Sequence, residues 1–128
     1  MKLEFEALGI CVKDIKNMVE FYRDVMGFEI QWDGGCFAGA RMSKSGVFFN
    51  LFAGPKNDDI IFATGINPTF QFSCGVDHPE DVDREYERLL HAGATSIYPP
   101  RDEDYGMRIC FVADPEGNQI EICCPLDD

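Results

Sequence analysis

The run Arg108-Ile109-Cys110-Phe111-Val112-Ala113-Asp114-Pro115-Glu116-Gly117-Asn118-Gln119-Ile120-Glu121-Ile122 constrains this chain more than any other. Two short apolar segments flank Asp-Pro-Glu-Gly-Asn, where proline fixes φ early and glycine is free to take positive φ, so the segments pair as an antiparallel hairpin. In the second segment Gln119, Glu121 and Cys123 alternate with Ile120, Ile122 and Cys124. A strand of period two then sets Glu121 on the face away from the isoleucines. A carboxylate so placed is either solvated surface or part of a site, and the hairpin alone does not separate the two.

Read from its start, the chain repeats one pattern. Residues 5 to 12 alternate, with Leu8, Ile10 and Val12 on one face and Phe5, Ala7, Gly9 and Cys11 on the other. Asp14 offers an N-cap, and Ile15, Met18, Val19, Tyr22 and Met26 follow at helical spacing up to Gly27, predicting a helix over 14–27. Phe28 to Trp32, Cys36 to Met42 and Val47 to Phe52 are short strand-like runs separated by turn residues. A Pro/Gly/Asn-rich stretch from Ala53 to Pro68 reads as a connection, partly ordered over a site. The pattern then restarts: a strand around Phe70 to Val76, a helix over 79–92 opened by Pro79, and runs Thr95 to Tyr98, Met107 to Val112 and Gln119 to Cys124. Each half is βαβββ, as a duplicated module would be.

The chain's 128 residues, 45% hydrophobic, bury a core of their own. No apolar run reaches membrane-spanning length, and Met1-Lys2-Leu3-Glu4-Phe5-Glu6 lacks the segments of a secretory signal, so a cytoplasmic protein with no membrane partner is expected. A formal charge of −12 repels phosphates and argues against nucleic acid. Much of that charge sits in Asp77, Glu80, Asp81, Asp83, Glu85 and Glu87 and in Asp127-Asp128, which read as solvated surface. Cysteines at 11, 36, 74, 110, 123 and 124 show no C-x-x-C spacing and are expected to be reduced and largely buried.

The repeated βαβββ pattern, the first-helix residues Val12, Asp14 and Tyr22-Arg23-Asp24-Val25-Met26-Gly27-Phe28, and the closing Asp114-Pro115-Glu116-Gly117-Asn118 with Ile120-Glu121 resemble the vicinal oxygen chelate superfamily. Glyoxalases, extradiol dioxygenases and bleomycin resistance proteins share that scaffold, which hosts enzymes and pure binders alike. The resemblance covers nearly the whole chain. It implies an α+β fold in a single domain, 1–128, made of modules 4–55 and 69–124 joined by loop 56–68, each curling its sheet around a cleft. It also implies a homodimer, an arrangement that the open strand edges favour.

Metal-using members of the superfamily draw one ligand from the first and last strand of each module. Those positions hold Ala7, Asn50, Gln71 and Glu121 here. Alanine has no donor, and neutral amides bind transition metals far less firmly than imidazole or carboxylate. His78 and His91 flank the second helix and do not replace the missing ligands. The implied cleft is therefore metal-free and without cofactor. Strand periodicity lines it with Phe48, Asn50, Phe52, Gln71, Ser73 and Glu121, with Gln71 the natural donor to Glu121 and Cys11 and Cys123 inert thiols without an activating histidine. Phe48 and Phe52 read equally as core. Arg108 is a further ligand-binding candidate, set either to pair with an acidic neighbour or to close one end of the cleft. The implied function is binding of a small cationic or aromatic molecule, as in bleomycin resistance proteins. One alternative is a glyoxalase- or lyase-type enzyme with a divalent ion on Asn50, Gln71 and Glu121 and Glu121 as ligand or general base. Another is an interaction module whose phenylalanines fill the cleft.

Overall fold

The computed structural model of the chain describes residues 2–42, 46–53, 60–62 and 64–126, in two compact units, Met1–Phe62 and Ala63–Asp128. Ser43, Lys44 and Ser45 of an expected turn, residues 56–59 and 63 of the joining loop, and the acidic pair Asp127-Asp128 lie outside the described residues.

The first unit runs β1 (Ala7–Cys11), α1 (Ile15–Glu20) continued by a π-helical turn (Phe21–Val25), β2 (Gln31–Trp32), β3 (Phe37–Arg41) and β4 (Phe48–Phe52). Its sheet has the order β1-β4-β3-β2, with β1 parallel to β4 and the other pairs antiparallel. Asp14 caps α1 by accepting from the Asn17 N–H at 3.1 Å. The core takes one face of each strand: Ile10 and Val12 at the end of β1, Ala38 and Ala40 from β3, Phe49 and Leu51 from β4. Met18, Val19, Phe21 and Tyr22 come to it from the helical segment.

That segment departs from the single helix predicted over 14–27. After Glu20 the turn widens, and the Met26 N–H reaches back five residues to the Phe21 carbonyl at 2.9 Å. The widening lets the neighbours Phe21 and Tyr22 both be buried, their rings edge to face at 5.1 Å. Tyr22 in turn packs 4.7 Å from Phe49 and 5.7 Å from Phe28. Strand β2 is shorter than the expected 28–32 because Phe28 joins this aromatic cluster and the Ile30 side chain is buried.

The second unit runs β5 (Asn67–Gly75), α2 (Pro79–His91), β6 (Thr95–Asp102), β7 (Met107–Ala113) and β8 (Asn118–Pro125), with sheet order β5-β8-β7-β6 and β5 parallel to β8. Pro79 stands in the first turn of α2, and the buried Val82 and Leu89 lie on a helix that packs against β7 and β8. Strand β6 continues past Tyr98 through Pro99-Pro100. It is an edge strand, so prolines without an N–H are tolerated, and its register with β7 slips on both sides of Tyr98. Each unit is thus a four-stranded mixed sheet with its helix on one face, the α+β arrangement that the sequence implies.

The turn between β7 and β8 is built on a buried carboxylate. Asp114, 4% exposed, accepts from the backbone N–H of Glu116 at 2.9 Å, the N–H of Asn118 at 3.0 Å and Asn118 Nδ2 at 2.9 Å. Gly117 sits at φ +87°, where a Cβ would stand 1.9 Å from the Gly65 carbonyl oxygen, and its own carbonyl accepts from the Asn67 N–H at 2.7 Å. The hairpin turn is thereby tied to the start of β5. Asp114→Ala, which strands these donors, is expected to lower the unfolding free energy by about 2 to 4 kcal/mol. A urea titration showing a loss well under about 1 kcal/mol would contradict this role for the carboxylate.

Candidate functional site

With a helix on one face of each sheet, side chains of opposite parity point to the other face. In the first unit that face carries Ala7 and Gly9 from β1, Phe37, Gly39 and Arg41 from β3, and Phe48, Asn50 and Phe52 from β4. Phe52 is 39% exposed, and its neighbour Phe37 on β3 is 56% exposed. Phe48 is half-buried.

A groove of about 870 Å³ runs along this face. Trp32, Phe37 and Phe48 supply aromatic surface; Gln31, Arg41, Asn50, Glu29 and Asp33 supply polar groups, and Gly39 lies between. Gly39 is there for space. A Cβ on it would stand 2.6 Å from Asn50 Oδ1, so the amide lies across its cross-strand partner. Arg41 stacks its guanidinium 4.3 Å from the Phe48 ring centre and donates from Nη1 to the Gly46 carbonyl at 3.0 Å. Trp32 Nε1 donates to the Gly35 carbonyl at 2.8 Å, which fixes the indole.

In the second unit the corresponding face carries Gln71, Ser73 and Gly75 from β5 and Gln119, Glu121 and Cys123 from β8. Register sets Glu121 between Ser73 on one side and the buried Phe111 on the other. The Ser73 hydroxyl donates to Glu121 Oε1 at 2.6 Å. The expected donor, Gln71, is aligned instead with Gln119, two residues earlier along the parallel pair. Phe48, Asn50 and Phe52 therefore share a surface in the first unit, and Gln71, Ser73 and Glu121 share one in the second.

Arg108 belongs to neither. Period two along β7 puts it with Cys110 and Val112 on the helix side of the sheet, where Nε and Nη2 both donate to the Asp83 carboxylate at 2.8 Å and Nη1 donates to Asp102 at 2.9 Å. This fork ties α2 to the edge of the sheet, and its hydrogen bonds hold the Asp83 carboxyl below the usual carboxylate range. It is the acidic-neighbour option for Arg108 that the structure realises.

Three of the thiols are held in the protonated, weakly nucleophilic form. Burial pushes Cys74 and Cys110 up to about 11, and burial followed by the Glu121 charge raises Cys123. Cys36 departs from the expectation of burial and is exposed. His78 occupies the N-cap position of α2 without a side-chain capping bond, His91 lies in its last turn, and both are exposed. Among the described residues no three His, Cys, Asp or Glu side chains gather as a metal site. The set Ala7, Asn50, Gln71 and Glu121 does not fit a transition metal on the chemistry of its donors. Trp32, Phe37, Gly39 and Arg41 were not among the residues that the sequence singled out, although alternation through Phe37, Gly39 and Arg41 carries the signal.

The family model described as Glyoxalase/Bleomycin resistance protein/Dioxygenase superfamily matches residues 5–122. The uncharacterized protein YraH of Bacillus subtilis (strain 168) is 26% identical over 122 residues, 90% of this chain and 93% of its own. A glyoxalase/bleomycin resistance protein/dioxygenase family enzyme from Burkholderia phytofirmans PsJN superposes with a TM-score of 0.82 at 25% identity, over 97% of this chain and 100% of that one. A glyoxalase/bleomycin resistance protein/dioxygenase from Nocardioides superposes with a TM-score of 0.80 at 21% identity, over 99% and 86%.

Two outcomes follow from this geometry. Gly39→Ala is expected to leave the fold intact and shift the side-chain amide resonances of Asn50; unchanged resonances would show that the amide does not lie across Gly39. Arg108→Gln is expected to destabilise the protein at neutral pH by about 1 kcal/mol, allowing for solvent screening of an exposed Asp83. Because the Asp83 carboxyl is held low, this contribution is complete above its unfolded value of about 4 and is lost as pH falls through the lower folded value. The gap between wild type and variant should therefore close in acid, and a gap that widens below pH about 4 would contradict the pairing.

Proposed function

Since the chain belongs to the glyoxalase, bleomycin resistance protein and dioxygenase superfamily, we propose that it is a binding protein of the bleomycin-resistance type, which holds a small cationic or aromatic molecule without a metal ion. The observation that carries this reading is the groove of the first unit. Its volume of about 870 Å³ falls in the range of small-molecule sites, and it joins three aromatic side chains to a few polar groups, the usual composition of such a site.

The chemistry elsewhere supports binding over turnover. Burial keeps the inward thiols protonated, both histidines are on exposed helix ends, and three of the four ligand positions of the metal-using members hold alanine or an amide, with Glu121 at the fourth. A glyoxalase or lyase of the usual kind needs a Lewis acid or a positioned base, and Glu121 with its Ser73 partner is a single hydrogen-bonded carboxylate. The proposed protein works as one domain in a homodimer, in which the open edges of β1 and β2 favour pairing.

Trp32 lines the groove and is the chain's one tryptophan, so its fluorescence reports occupancy directly. Titration with flat aromatic compounds is expected to give a saturable change, with Asn50→Ala weakening the best of them by about 1 kcal/mol. Absence of saturable binding across such a panel, together with turnover of a glyoxalase-type substrate after addition of a divalent metal, would replace this reading with the enzymatic one.

A further inference from the structure

We propose that Arg41 makes the groove selective for aromatic rings that bear a carboxylate; this deepens, and rests on, the reading of the groove as a binding site, and it narrows the ligand away from cations. The chain has 23 acidic residues against 11 basic ones, so an arginine fork without a carboxylate is out of keeping with its surroundings. Arg23, Arg84, Arg88 and Arg101 each hold one and Arg108 holds two. Among the described residues Arg41 holds none, although Glu29 and Asp33 line the same groove.

Its guanidinium is nonetheless fixed. Cross-strand pairing with Phe48 brings the two side chains together, the guanidinium carbon lies over the ring at 4.3 Å from its centre, and Nη1 is held by its bond to the Gly46 carbonyl. One donor is used, and the fork geometry of the rest matches the two oxygens of a carboxylate. Holding a planar cation in place before the ligand arrives removes an ordering cost from binding. An aromatic ring lying against Phe37 or Trp32 would bring a substituent carboxylate to this fork, and the apolar wall beside it strengthens the charge pair relative to open water. The overall charge of −12 repels anions at long range, so the preference has to come from this contact and not from the field of the whole protein.

The test compares three compounds of one ring system by isothermal titration calorimetry: 2-naphthoate, 2-naphthylmethanol and 2-naphthylmethylammonium. Wild type is expected to bind the carboxylate roughly tenfold or more tighter than the alcohol, with the ammonium weakest, a ratio in keeping with one charge-assisted contact. Arg41→Gln, at an exposed position, should bring the ratio of carboxylate to alcohol affinity to within about twofold of one. Glu29→Gln should raise carboxylate affinity by removing a competing negative charge. Equal binding of carboxylate and alcohol, or a preference that survives Arg41→Gln, would overturn the role of Arg41 and leave the groove a binding site. No binding by any of the three, with no response to other flat aromatics, would overturn both.

Discussion

One helix for each four-stranded sheet is the constraint on which this structure depends. A helix with its side chains is about 10–12 Å across, and four strands at about 4.8 Å spacing make a wider surface with two faces, so one face is covered and the other is left to be dealt with. In the first unit the covered face takes Ile10, Val12, Phe49 and Leu51, and the uncovered one displays Phe37, Gly39, Arg41, Phe48 and Asn50. In the second unit Ile109 and Phe111 on the side away from α2 are also buried, leaving Glu121 half-buried beside Phe111. The two units share a topology and differ in how that second face is furnished.

That difference locates the chemistry. Glycine at 39 gives the Asn50 amide room to lie flat on the sheet, and Phe48 gives the Arg41 guanidinium a plate to stack on. Polar groups held by neighbours in this way are preorganised, which is what a binding surface needs and a solvated surface lacks. The charged cluster around Arg108 in the second unit, by contrast, is structural: with Asp83 and Asp102 it fastens helix to sheet on the side away from Glu121. Acidic residues along α2 are likewise partly answered by Arg84 and Arg88 from the same helix.

Much of the fold was legible because its signals are local. Alternation in β1 and β8, the Asp14 cap, Pro79 and the Asp-Pro-Glu-Gly-Asn turn each specify a conformation within a few residues, and the βαβββ order follows from their sequence. The π-helical turn was not legible, since period 3.6 accounts for Tyr22 and gives no reason to bury Phe21 beside it; only the packing of both rings does. The extension of β6 through Pro99-Pro100 depended on its being an edge strand, a property of the sheet and not of the residues. For the site, the faces of β4, β5 and β8 followed from period two. The partner of Glu121 did not, because strand register decides between Gln71 and Ser73, and the choice between the two options for Arg108 needs the parity of β7 and the position of Asp83 on α2.

The account rests on the reading that Ala7, Asn50 and Gln71, with Glu121 alone as a carboxylate, stand where metal-using members of the superfamily place their ligands. Metal analysis of the purified protein by plasma mass spectrometry, before and after dialysis against a chelator, tests that most directly. The account predicts far less than one equivalent of any transition metal per chain and aromatic binding that is unchanged by chelation. A tightly held stoichiometric metal, lost in Glu121→Gln and required for binding, would contradict it.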